Sequence, residues 1–129
     1  MADERLIQNV AILGASDDRG RFSHQAFMLL KRMGYNPLPI SNSTKSVEGV
    51  KTFAHITDIP IPFHTLTMYV RRSISSQIQD EILAARPDRV IFNPGTENPL
   101  LEHALRSQGT HVVNACTLVL LQAGEFDKA

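Results

Sequence analysis

The feature that most constrains this chain is the apolar run Val10-Ala11-Ile12-Leu13, which ends in Gly14-Ala15-Ser16 before the basic stretch Arg19-Gly20-Arg21-Phe22. A continuous apolar run is how a strand reads when a parallel sheet buries it on both faces. Gly14 takes backbone angles that other residues resist, and Ala15 and Ser16 let an anion approach the main chain. The segment from Ser23 to Met33 reads as a helix with Ser23 as its N-cap, so that its first N–H groups and positive dipole end face that anion. Strand, small-residue turn and helix together are the grammar of a nucleotide site. The full GxGxxG spacing is missing, because Ser16 and Arg19 occupy the places of the second and third glycines.

Beyond this segment, apolar runs alternate with helix-period segments, the pattern of βαβ units around a parallel sheet. Strands are predicted at Asn9 to Leu13, Pro37 to Ile40, Thr65 to Val70, Arg89 to Phe92 and His111 to Val113, with a short extra one near Val50 to Phe53. Helices are predicted at Ser23 to Met33, Ser75 to Ala85, Pro99 to Ser107 and Thr117 to about Ala123. Pro37 and Pro39 lie two apart, so their missing donors fall on one side of the second strand. The other side is therefore expected to pair with the first strand, leaving the proline side to the poorly patterned stretch from Val47 to Phe53. The expected fold is α/β: one doubly wound Rossmann-like domain over residues 1–129, with five or six strands in the order 3-2-1-4-5 and helices on both faces. Ligands of such sheets bind at the carboxyl edge, where the strand order reverses.

Composition narrows the function. Thirteen basic and thirteen acidic side chains cancel, so no global field draws the chain to nucleic acid or a membrane surface, and any preference for anions must be local. A single cysteine, Cys116, excludes an internal disulfide and suits a reducing compartment. The acidic start Met1 to Arg5 lacks an apolar signal core, and no apolar run approaches a bilayer-spanning length. The expected location is the cytoplasm.

Four loops fall at the carboxyl edge of the expected sheet. The first, Gly14 to Phe22, brings Arg19 and Arg21 beside the small residues. The second, Ser41-Asn42-Ser43-Thr44-Lys45, offers hydroxyls and a cation where an NAD-binding fold places an acidic residue for the ribose. In the third, Arg71 and Arg72 stand where strand meets helix, and one guanidinium fork can reach phosphate oxygens while the other faces water. The fourth, Asn93-Pro94-Gly95-Thr96-Glu97-Asn98, is a rigid turn in which Asn93, Gly95 and Glu97 are candidates to line a pocket, and Thr96 or Asn98 to cap the next helix.

Taken in order, these segments resemble the small CoA-binding proteins of Rossmann type, whose domain also forms the amino-terminal part of the succinyl-CoA synthetase α subunit. The residues that carry the resemblance are Val10 to Ser16, Gly34-Tyr35 with Pro39-Ile40, Val47 to Val50, Asn93 to Asn98 and Val112 to Cys116. It implies that the loops after the first two strands hold the phosphates and adenine end of CoA, and that residues after the fourth strand line its pantetheine arm. Gly14, Ala15, Ser16, Ser41, Lys45 and Arg71 are the positions it carries over. The implied function is non-catalytic binding of CoA or an acyl-CoA, a small nucleotide ligand. The alternatives are an NAD(P)-binding or redox-sensing domain, or an enzyme or regulator using another anionic metabolite.

No catalytic constellation is legible. The five histidines lack a metal-ligand spacing, and the GxSxG elbow, the Tyr-x-x-x-Lys pair and the P-loop lysine are all missing. His24, at the start of the first helix, and Cys116, after the last strand, are the residues with chemistry to spare. The apolar Leu118-Val119-Leu120-Leu121 suits packing on the sheet or, in a homodimer, on a second copy.

Overall fold

Alternation of side chains along five short strands sorts the apolar residues into two layers. A computed structural model describes residues 8–129, so the Met1 to Arg5 segment lies outside the described residues. The strands are β1 (Asn9–Leu13), β2 (Asn36–Ile40), β5 (Thr65–Met68), β6 (Arg89–Phe92) and β7 (His111–Asn114), all parallel in the order β2-β1-β5-β6-β7. Ala11, Leu13, Leu66, Met68, Val90 and Phe92 point to one face. There they meet Ile82 of α3 (Gln79–Ala85) and Leu101 and Leu105 of α4 (Pro99–Ser107). Val10, Ile12 and Ile91 point to the other face, against Phe27 and Leu30 of α1 (Phe22–Arg32), Leu121 of α5 (Thr117–Gln122) and Phe126. The fold is the expected doubly wound α/β domain.

The two sides of β2 differ in their hydrogen bonds as the prolines require. On the inner side of β2 the Ile40 carbonyl accepts from Gly14 and Ala15 N–H. On the outer side the Pro39 carbonyl accepts from Phe53 N–H, and Ser41 N–H donates to the Phe53 carbonyl. The expected third strand is thus reduced to one parallel bridge, Ile40 to Phe53. The chain before it forms a hairpin of β3 (Ser46–Val47) and β4 (Val50–Lys51), whose two-residue turn takes positive φ at Glu48 and Gly49.

Two helix readings change. Ser23 is not the N-cap of α1: an aspartate turn, with Gly20 N–H donating to the Asp18 side chain and Arg21 N–H to the Asp18 carbonyl, brings the chain round earlier. Arg21 then takes the extended cap conformation and Ser23 is buried inside the first turn. The helix expected from Ser75 to Ala85 is two, α2 (Arg72–Gln77) and α3, divided at Ile78. Ser75 bonds back to the Arg72 carbonyl, and Asn98 donates to the hydroxyls of both Ser75 and Ser76. Such side-chain competition bends helices.

Candidate functional site

Helix α1 crosses on one face of the sheet and α2–α3 on the other, so the chain divides between β1 and β5 and opens a crevice at their carboxyl ends. A cleft of about 670 Å³ occupies that place. Its walls come from the β1 turn, the start of α1, the loop after β2, the 3₁₀ turn Ile56–Asp58 with its approach, and the residues from Tyr69 into α3.

Gly14 is required here by the fold itself. Its φ is +90°, and a Cβ on it would stand 2.9 Å from the Tyr69 carbonyl oxygen and 2.9 Å from Val70 Cγ1. Only a residue without a side chain lets β1 turn this close to the end of β5. The Gly14 and Ala15 N–H groups are engaged by the Ile40 carbonyl at 3.1 and 3.0 Å, so they are turned toward β2 and away from any ligand. Arg21 carries no side-chain acceptor and caps nothing, which leaves the first N–H groups of α1, on Phe22 and Ser23, without a hydrogen bond among the described residues. These amides and that of Ser16 are the donors the bend offers an anion.

Of the residues singled out in the sequence, Gly14, Ala15, Ser16, Arg21, Phe22, Ser41, Arg71 and Gly95 line the cleft. Arg71 is exposed and donates from Nε to Ser73 Oγ at 3.1 Å, while Arg72 lies outside the cleft lining. Ser41 Oγ accepts from Ser43 and Thr44 N–H and holds its loop in a tight turn.

Arg19, Lys45, Asn93 and Glu97 lie elsewhere. Arg19 turns to Glu48, 3.5 Å away, and His24 Nε2 meets the same carboxylate at 2.9 Å, so both sit in a separate groove against the β3–β4 hairpin. Lys45 is exposed outside the cleft. Glu97 is exposed and accepts from Gly95 N–H at 2.9 Å. Asn93 is buried: its amide donates to Thr67 Oγ1 and the Met68 carbonyl, and its oxygen accepts from Thr117 N–H, so it ties β5, β6 and α5 together beneath the site. Asn98, not Thr96, caps α4 by accepting from Leu101 N–H. Cys116 is half-buried at the N-cap of α5.

Sequence reasoning missed Tyr69, His55, Glu81 and the aliphatic wall formed by Ile56, Ile74 and Ile78. The Tyr69 hydroxyl is buried without a hydrogen-bond partner among the described residues, and burial pushes its pKa up to about 12 despite the nearby Thr117 and Thr67 hydroxyls. His55 Nδ1 lies 3.1 Å from Glu81 Oε1, joining the approach to the 3₁₀ turn to α3. Nothing local in the sequence marks that pair.

Residues 8–122 match the family described as CoA binding domain. The chain belongs to this family. It is the family that the order of motifs in the sequence resembles. Among solved structures, this CoA binding domain is similar to an uncharacterized protein at 35% identity and TM-score 0.87, over 93% of this chain and 98% of that one. A protein from Thermus thermophilus is 28% identical with TM-score 0.85, over 95% of both chains. The apo form of the dinucleotide-forming acetyl-coenzyme A synthetase 1 of Ca. Korarchaeum cryptofilum shares the fold. There the identity is 19% and the TM-score 0.73, over 87% of this chain and 27% of that one. Comparison with curated proteins gives no match. No helix among the described residues is long and apolar enough to cross a membrane.

Proposed function

We propose that this domain binds CoA or an acyl-CoA in the cleft between β1 and β5 and does no chemistry on it. The observation that carries the reading is the coincidence of a roomy cleft with an uncapped helix start. The Ser16, Phe22 and Ser23 amides and the Arg21 and Arg71 guanidinium groups all border the same 670 Å³ space. An anionic ligand answers the amides and the two cations together. CoA carries its charge on a pyrophosphate and a ribose phosphate, and family membership supports it over other anions. The hydroxyl-rich Ser41 to Thr44 loop suits the ribose phosphate, and Tyr69 and Val70, directly after β5, suit the pantetheine arm. The non-catalytic reading rests on the cleft lining, in which no nucleophile is paired with a base.

The test is calorimetric titration and thermal shift with CoA, acetyl-CoA, NAD, NADP and ADP. CoA species are expected to bind, and a ligand at ten times its Kd should add about 1.4 kcal/mol of stability. Stabilisation by the dinucleotides alone would remove this reading in favour of an NAD(P)-binding domain.

A further inference from the structure

Two arginines and three outward amides make most of the cleft fit for an anion, yet Glu81 also lines it, the only carboxylate to do so among the described residues. Facing a phosphate, this carboxylate would repel it. It is placed on α3, where His55 Nδ1 reaches Glu81 Oε1 at 3.1 Å from the opposite wall. The Glu81 side chain is about 30% exposed. The same part of the cleft is lined by Ile56, Ile74 and Ile78. Ile56 and Ile78 belong to the core on that face, whereas Ile74 is half-buried and packs into neither core layer, so its apolar surface is turned to the cleft.

Aliphatic walls ending in a carboxylate are the chemistry of a slot for a flat heterocycle with an amine on its edge. The aliphatic groups cover the two ring faces, and the carboxylate accepts from the exocyclic N–H. The Ser41 to Thr44 loop and Ile56 stand on the same side of the cleft, because Ser41 and Phe53 are hydrogen-bonded to each other. A nucleotide with its phosphates at Ser16 and the start of α1 therefore directs its base toward this slot. We infer that Glu81, held in place by His55, selects the base of the bound nucleotide by accepting a hydrogen bond from the adenine amino group. This rests on the proposed CoA reading and adds to it a specificity determinant.

The experiment compares CoA with its deaminated form, in which hypoxanthine replaces adenine, and ADP with GDP, by calorimetry on the full chain and on the Glu81→Gln and His55→Ala variants. CoA should bind about 10–100-fold more tightly than deaminated CoA, the range expected for a hydrogen bond to a charged group. Glu81→Gln, a surface substitution that keeps the shape, should bring the two forms within about threefold. His55→Ala, which keeps the carboxylate but removes its tether, should narrow the gap. Equal binding of CoA and deaminated CoA by the unaltered protein would overturn the inference and leave the CoA reading intact. GDP binding more tightly than ADP would overturn it too, since the slot would then read a guanine edge. Failure of every CoA species to bind would end both.

Discussion

At the amino edge of the sheet Arg89 is buried, with Nε engaged by Thr65 Oγ1 and Nη1 by the carbonyls of Phe126 and Ala129. Its guanidinium carbon also lies 4.4 Å from the centre of the Phe126 ring. Asn36 donates to Asn9, Asn9 to the Pro62 carbonyl, and Tyr35 to Asp127. At the carboxyl edge, among the described residues, Arg71 reaches only the Ser73 hydroxyl, Arg21 stands 4.0 Å from Asp18, and the first amides of α1 have no cap. The same residue type is therefore built into the fold at one edge and held by local, exposed contacts at the other. Polar groups at the amino edge satisfy one another, as groups removed from water must. Those at the carboxyl edge keep hydrogen-bonding capacity for something outside the chain.

The comparison is tested most severely at Gly14, where the two demands meet. Gly14→Val places a β-branched residue at φ +90° with its Cβ against the Tyr69 carbonyl, and should destabilise by roughly 3–5 kcal/mol and abolish CoA binding. A Tm within a few degrees of the parent would show that the bend is softer than argued. Arg89→Ala leaves the buried Phe126 carbonyl and the part-buried Ala129 oxygen without this donor and removes the ring contact, a loss of about 2–4 kcal/mol by denaturant unfolding. CoA affinity measured on the folded fraction should not change. If it does, the two edges are not independent.

Arg71→Ala is the converse. Stability should stay within about 0.5 kcal/mol because the side chain is exposed, while CoA affinity falls roughly tenfold and depends less on salt. Unaltered affinity would take Arg71 out of the site.

Tyr69→Phe should produce the smallest effect, a stability change under about 1 kcal/mol, because the lost hydroxyl has no partner among the described residues. The sign of its pH dependence is fixed. A phenol whose pKa is about 12 when folded and about 10 when unfolded keeps its proton while the unfolded chain loses one. That contribution is whole below pH 10 and declines as pH rises toward 12. Tyr69→Phe should flatten this alkaline limb in part, since Tyr35, raised to about 12 by burial and then by its bond to Asp127, contributes the rest. A limb of unchanged slope would place the titration elsewhere.

Much of the candidate site was legible, because the turn after β1 is a local event. Gly14, Ser16, Arg21, Ser41 and Arg71 come to one cleft because each lies in a loop that follows a strand the apolar pattern reveals. Asn93 follows a strand as well, yet it faces inward, since Thr67, Met68 and Thr117 offer it three partners that no local pattern shows. Arg19 and His24 were drawn off by Glu48, whose position depends on where the β3–β4 hairpin folds back.

The sequence by itself determined the doubly wound parallel sheet and the outer edge of β2. Burial periodicity and the missing proline donors are properties of single segments, and they act wherever the segment goes. Only the tertiary structure decided that the Gly14 and Ala15 amides turn to Ile40, that α1 opens at Phe22 without a cap, and that His55 meets Glu81 across the cleft. Each of these is a hydrogen bond or ion pair whose partner is supplied by another element, and its geometry exists only once the layers have packed.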